Sequence, residues 1–342
     1  STFTAGFEEN KKLKTDFFNE IKYSERLSRK LKSKHFNVII KPEDIFKSLD
    51  NLIHCIELPR MGQSYPNYLL NNLVGKKVRI VYSGLGSDEL FGGYPWRYRN
   101  YDTSKNFVET LYSSWQRIFN KEEKKEIYQP SFYKKILNDV NSNNIDENSL
   151  HIFKGFFKNN DFKNKYVNLS NIMYFECKTF LKGVLSLEDK ISMSKSIEMR
   201  LPYLDNDLVD NVCKIPTLQK LDPKYIKYLD ENRIDKKRKV KLEGKFLFKN
   251  VSKKYLDNYT LMLNKQGFSF PDENWFENEC QKLLEKNLYG EDSELHHFFQ
   301  LDKLRNVLNE RKIKNKSNRL TIWSLLSFNS WIKNNNEIKG IS

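Results

Sequence analysis

Seven consecutive residues, Ser83-Gly84-Leu85-Gly86-Ser87-Asp88-Glu89, combine the groups that a phosphate-handling loop needs. Two glycines let the backbone approach a ligand closely and take dihedrals closed to other residues. Hydroxyls, exposed N–H groups and the start of a helix suit a phosphate or pyrophosphate. A carboxylate at Asp88 is the kind of group that holds Mg2+ against such phosphates. The plain alternative is a strand–turn–helix in which Ser87 or Asp88 is only an N-cap, and loop composition alone leaves the two readings level.

Such a loop needs a strand before it and a helix after it. Residues 78–82 (VRIVY) supply the strand, and the chain beyond the loop can be helical. Upstream, residues 2–7 (TFTAGF) and 36–40 (FNVII) also read as strands. Leu13, Phe17, Ile21, Ser24, Ser28 and Leu31 recur at spacings of three and four, the buried face of an amphipathic helix. Ile45, Leu49 and Leu52 predict a second helix, and residues 66–74 a third that Gly75 ends. Strands alternating with helices argue for a parallel sheet covered on both faces, with ligands at the carboxyl ends of its strands. From about residue 105 the pattern is mostly helical. Residues 235–241 (DKKRKVK) predict an exposed turn or loop, and residues 314–318 (KNKSN) a polar break before a final helix.

Three further blocks extend the first. The strand and loop run on as VYSGLGSDELFGGYPW, residues 187–210 read LEDKISMSKSIEMRLPYLDNDLVD, residues 264–271 read NKQGFSFP, and residues 320–332 read LTIWSLLSFNSWI. Their order and content resemble the synthetase (ATP pyrophosphatase) domain of the asparagine synthetase family, over nearly the whole chain. The opening TFTAGF and the segment at residues 57–70 (ELPRMGQSYPNYLL) fall where that family has its second strand and a proline-containing segment.

The resemblance implies an α/β fold: an adenine-nucleotide alpha-hydrolase-like parallel sheet, incomplete at the N-terminus, followed by a largely helical region. Residues 1–104 would form the remainder of the α/β core and residues 105–342 the helical part carrying Glu198 and Lys265. The implied reaction is ATP-dependent amidation of a carboxylate through an acyl-adenylate, with aspartate converted to asparagine. Ala5 and Gly6 would meet the adenine through backbone groups, and Ser83, Gly84, Leu85 and Gly86 would line the ribose and phosphates. Asp88 would bind Mg2+. Lys190, Glu198 and Lys265 are the implied catalytic residues. The helix carrying Asp189, Lys190, Met193 and Glu198 would close the site and stop near Arg200, before Pro202. Lys265 would stabilise negative charge on the phosphates. The bland alternatives are a Glu198–Arg200 structural ion pair and a surface Lys265.

Two departures from the family pattern stand out. The family's SGG-x-DS loop, expected upstream of TFTAGF, and its Cys-initiated glutaminase domain are not in these residues. The expectation is a piece of a longer protein or one chain of a split enzyme, taking its ammonia from a glutaminase elsewhere. Leu85 stands where asparagine synthetases often carry an acidic residue, and leucine can neither take a proton nor accept a hydrogen bond.

The 342 residues are 39% hydrophobic and 30% charged, with 24 Phe and 18 Tyr, a globular composition rather than a disordered one. The net charge of +15 is spread along the chain with many asparagines, which argues for solvated faces over a nucleic-acid partner. No apolar run approaches the roughly 18 residues of a membrane span. Cys55, Cys177, Cys213 and Cys280 form no Cys-x-x-Cys pair and read as free thiols of a cytoplasmic protein. A homo-oligomer stays open. The competing functional readings are an amide-forming ligase acting on another carboxylate in a tailoring pathway, and a non-catalytic relative that binds nucleotide or a partner.

Overall fold

The computed structural model describes residues 1–8, 19–98, 107–115, 118–139, 145–157, 164–230, 244–263 and 270–335. The first part alternates as its sequence pattern predicts: β1 (Thr2–Phe7), α1 (Ile21–Lys30), β2 (His35–Ile40), α2 (Asp44–Ile56), α3 (Tyr65–Val74), β3 (Ile80–Tyr82) and α4 (Ser87–Phe91). Ile45, Leu49, Leu52 and Ile56 recur at helical spacing and are all buried on one face of α2. On α1, Ser28 is buried but Leu31 is 58% exposed, because the helix ends at Lys30 and Leu31 is its cap rather than part of its face. Leu13 and Phe17 lie outside the described residues, as does the basic stretch 235–241.

The expected continuous parallel sheet is not what the described residues form. They hold two separate parallel pairs, β1 with β2 and β3 with β4 (Glu198–Arg200). Ile80 is 49% and Tyr82 is 69% exposed, so β3 is a short strand with an open face, not a strand covered on both sides. The fold is therefore mostly helical, with small parallel strand pairs. α3 packs on β1 and β2, and α10 (Lys182–Met193) packs on α3 and β4, so a helix backs each pair on one side.

The helices after α4 run in chain order: α5 (Phe107–Trp115), α6 (Lys121–Ile127), α7 (Pro130–Asp139), α8 (Ile145–Lys154) and α9 (Lys165–Glu176). A π turn, Cys177–Leu181, joins α9 directly to α10. After β4 come α11 (Asn206–Lys214), α12 (Thr217–Lys220), α13 (Pro223–Asp230), α14 (Phe246–Ser252) and α15 (Asn258–Met262). The last four are α16 (Asp272–Glu277), α17 (Gln281–Tyr289), α18 (Leu301–Ile313) and α19 (Arg319–Asn334), with the predicted polar break lying between α18 and α19.

The main core takes Phe7 and Ile40 from the first strand pair, the buried face of α2, Ile191 from α10, and Trp323, Leu326 and Ile332 from the final helix. Each fully buried Leu or Ile there contributes about 1.5–3 kcal/mol. Tyr65 stacks on Trp323 with ring centroids 5.2 Å apart, and the Trp323 indole N–H donates to buried Asp272 at 2.6 Å. A second cluster gathers Phe107, Leu111, Phe153, Leu169, Ile172 and Phe175. No described helix is long and apolar enough to cross a membrane.

Candidate functional site

β3 delivers the glycine-rich loop to the end of the strand pair. The Ser83 N–H donates to the Arg200 carbonyl at 3.0 Å, which ties the start of the loop to the end of β4. Gly86 has φ 87° and is the N-cap of α4, so neither Ser87 nor Asp88 plays the cap role open to it in the sequence. This left-handed turn favours glycine. Ser87 is buried, and its hydroxyl donates back to the Gly84 carbonyl at 2.7 Å.

Asp88 lies in the first turn of α4 and folds over Gly93. The Gly93 N–H donates to the Asp88 carbonyl at 2.7 Å, and a Cβ on Gly93 would overlap the Asp88 carboxylate. Glycine is required here by close approach, not by dihedral freedom. The Asp88 carboxylate lies 3.1 Å from the Lys245 ammonium, which also donates to the Ser87 hydroxyl at 2.9 Å. An ammonium thus stands where a metal cation would be drawn. Among the described residues no three His, Cys, Asp or Glu side chains converge as a metal cage. A lone carboxylate with a neighbouring hydroxyl still fits Mg2+, which is commonly held by one or two carboxylates together with substrate phosphates and water.

A buried polar network backs the loop. Glu89 is buried and accepts from the Tyr94 hydroxyl at 2.6 Å; burial first, then the Glu89 charge and this bond, push the Tyr94 phenol up. Arg97 lies over the rings of Tyr94 and Phe180, 4.2 Å from each centroid, and donates to Glu176 at 3.2 Å. Glu176 is fully buried, its second carboxylate oxygen has no hydrogen-bond partner, and burial pushes its carboxyl up to about 7 against the pull of Arg97.

The other sequence-predicted residues fall in different places. Ala5 and Gly6 are in β1, paired with Val38 and Ile39 of β2. Leu85 is half-buried in the loop. Glu198 is not on a helix: α10 ends at Met193, Ser196 turns with φ 54°, and Glu198–Arg200 is the strand β4. The sequence expectation of one helix reaching Arg200 is corrected by that turn. Strand pairing sets Glu198 beside Ile80 and Arg200 beside Tyr82, all on the open face. The Glu198 and Arg200 side chains approach only to 4.0 Å and are more than half exposed. Lys190 lies at the C-terminus of α2, donating to the Ile56 carbonyl at 3.0 Å and the Glu57 carboxylate at 2.6 Å. A cation at that helix end is favourable in itself. Lys265 lies outside the described residues.

The structure therefore joins Ser83–Asp88 with β4 on one side and Lys245 on the other. Lys245, Arg97 and Glu176 were not singled out from sequence. Lys245 follows a basic stretch that reads as solvated loop, and only its preceding glycine and following apolar run hint at a fixed turn.

Comparison with known proteins identifies the family. The family model described as asparagine synthase matches residues 1–333. The chain is 22% identical over 358 residues to asparagine synthetase [glutamine-hydrolyzing] 1 of Bacillus subtilis (strain 168), covering 96% of this chain and 51% of that protein. It is 24% identical over 238 residues to asparagine synthetase [glutamine-hydrolyzing] 3 of the same organism, covering 64% of this chain and 35% of that one. The chain spans about half the length, or less, of these curated relatives. With the family match running through the glycine loop, β4 and the final helix alike, the chain belongs to the asparagine synthase family.

Proposed function

We propose that this chain carries the ATP-using half of an amide-forming ligase, which activates a carboxylate, with aspartate as the first candidate, and amidates it with ammonia. The observation that carries the proposal is the Ser83–Gly93 segment, whose Asp88 and Ser87 both lie within 3.1 Å of the Lys245 ammonium beside the end of β3. Ser83, Gly84, Leu85 and Gly86 would take the ribose and phosphates, and Ala5 and Gly6 the adenine. The two strand pairs, under neighbouring helices and with Ile80, Tyr82 and Ile39 exposed, fit parts of one adenine-nucleotide alpha-hydrolase-like sheet. In that arrangement residues 1–104 serve as the α/β part together with β4, the strand that the otherwise helical residues 105–342 contribute to the pair with β3.

An oxygen of the substrate carboxylate attacks the α-phosphorus of ATP, and the bond to the pyrophosphate oxygen breaks. The nitrogen of ammonia then attacks the acyl carbon, AMP leaves, and the nitrogen gives up a proton. Asp88 would hold Mg2+, whose charge would offset that of the pyrophosphate leaving group. Lys265 would face the phosphates, where its charge matters most as negative charge shifts to the leaving group. Glu198 would accept the proton, with Arg200 beside it on the same strand face. Lys190, the third residue the resemblance implies as catalytic, is held on the Ile56 carbonyl and the Glu57 carboxylate and would act by fixing α10 against α2.

In the full-length protein supplied with ATP, Mg2+, aspartate and ammonium, AMP, pyrophosphate and asparagine should form in equal amounts. Release of ADP and inorganic phosphate would refute the reading. Leu85 supports a second reading, in which the same chemistry acts on another carboxylate in a tailoring pathway. An apolar side chain in the loop suits a less polar acceptor. Pyrophosphate release with such a carboxylate but not with aspartate would select it.

A further inference from the structure

The main core and the second cluster do not close on each other everywhere. At their seam lies a cavity of about 500 Å³, with Phe119 and Tyr128 on the main-core side and Tyr112 and Trp115 of α5 on the other. Closely packed interiors leave few voids larger than a water, whereas a space of this size is that of a small-molecule site. Seven of its eleven described lining residues are aromatic, so flat rings dominate the wall. The rings brace one another. Trp115 stands edge-on to Phe175 at 5.5 Å, and Tyr112 edge-on to Phe153 at 5.4 Å. Polar character is sparse. The Thr179 hydroxyl in the π turn donates to the Phe175 carbonyl at 2.7 Å, and Lys124 on α6 alone among the described lining residues is charged.

We propose that this seam cavity is a second ligand site, one that takes a small aromatic carboxylate: the flat ring enters among the aromatic side chains and the carboxylate meets the Lys124 ammonium. Aromatic rings favour offset-stacked or edge-to-face partners, and the wall offers both faces and edges. Met61, in the link between α2 and α3, is 38% exposed and stands at the mouth, where its unbranched, polarizable side chain adapts to what enters. No acidic side chain is among the described lining residues, so an anion meets no like charge there, while an ammonium would face Lys124. The cavity is separate from the glycine loop. Phe180 and Trp115 form the wall on that side, and Arg97 lies behind them, 4.2 Å and 5.0 Å from their ring centroids, with Tyr94 beyond it. The inference therefore goes beyond the ATP reading and does not depend on it.

The test titrates the full-length protein, Lys124→Gln and Met61→Trp by calorimetry with two probes of one shape, 2-naphthoate and the neutral 2-naphthylmethanol. Wild type should bind 2-naphthoate with a Kd below about 100 μM and the alcohol about fivefold more weakly, for want of the Lys124 contact. Lys124→Gln should lose that preference and bind both probes alike. Met61→Trp puts a bulkier ring in the mouth at an exposed position, and should weaken both probes about tenfold or more. Should Met61→Trp also lower the melting temperature, the comparison of acid with alcohol in Lys124→Gln decides by itself. Wild type that fails to bind 2-naphthoate at about 1 mM, or binds the alcohol equally well, overturns the proposal. So does a Lys124→Gln protein that keeps the preference for the acid. Unchanged affinity in Met61→Trp overturns it by placing the probe elsewhere, and displacement of 2-naphthoate by inorganic pyrophosphate does so by placing it at the glycine loop.

Discussion

Glu176 offers a quantitative test of the network behind the loop. Its carboxylate is fully buried, one oxygen accepts from Arg97 at 3.2 Å, and the other has no partner. Asp88 and Glu89 add negative charge nearby, Tyr98 and Cys177 adjoin it, and Arg97 is the cation that faces it. Burial outweighs Arg97, and the carboxyl titrates near 7 in the fold. The unfolded value is about 4.3. The folded value is raised, so the stabilising contribution is fully present below about pH 4.3 and is lost as pH rises through 7. At about 1.4 kcal/mol for each tenfold change in proton activity, the loss across that interval is about 3 kcal/mol. Glu176→Gln keeps the shape and an acceptor for Arg97 but does not titrate. Urea unfolding of both proteins at pH 4.5 and pH 8 isolates the effect. Glu188, pushed up to about 7, and Asp272, pushed up to about 6, move both curves alike and cancel in the difference. Wild type should lose about 3 kcal/mol relative to the variant between the two pH values, a midpoint change of about 1 M urea. Parallel pH profiles would refute the assignment of a costly buried charge to Glu176.

Asp88→Asn in the full-length protein should abolish Mg2+-dependent pyrophosphate release while the circular dichroism spectrum stays that of wild type, because asparagine keeps the size but not the charge a hard cation needs. Lys265→Ala should lower kcat more than it raises KM for ATP, since its charge acts most in the transition state; a raised KM with unchanged kcat would contradict this. Glu198→Gln should cut steady-state pyrophosphate release with aspartate and ammonium by about 100-fold or more. Leu85→Glu should change rate or acceptor preference only modestly in the same assay, and activation of a silent enzyme by it would instead mark Leu85 as an inactivating residue.

The strands TFTAGF and FNVII and the face of α2 were legible because their signals are local: β-branched or apolar runs, and apolar residues at helical spacing. The loop was legible because glycine, hydroxyl and carboxylate are consecutive. Glu198 was misplaced for a physical reason. The segment after α10 carries no glycine or proline before Pro202, so nothing in it announces a stop, yet Ser196 turns the chain with φ 54°. Tertiary pairing of Glu198–Arg200 with β3 supplies what the local pattern lacks. The open face of β3 was equally hidden, since VRIVY reads the same whether a neighbour covers it or not. Lys245 was invisible because its partner Ser87 is 158 positions away.

The π turn at Cys177–Leu181 acts as a phase shifter. An uninterrupted α-helix from Lys165 to Met193 would advance about 100° per residue throughout and present one continuous stripe. The wider turn drops the stripe back by up to about one residue's rotation. Leu169, Ile172 and Met173 can then face the second cluster while Leu187 and Ile191, on the same rod, face the main core. One rigid element thereby indexes two cores against each other and ends at the turn that sets out β4. Deleting a single residue from the π turn would straighten the helix and leave every side chain well formed. It would also rotate one half against the other by about 100°, so the azimuth of Glu198 relative to the loop is written in the length of a segment that packs against α4 but carries neither Glu198 nor the loop.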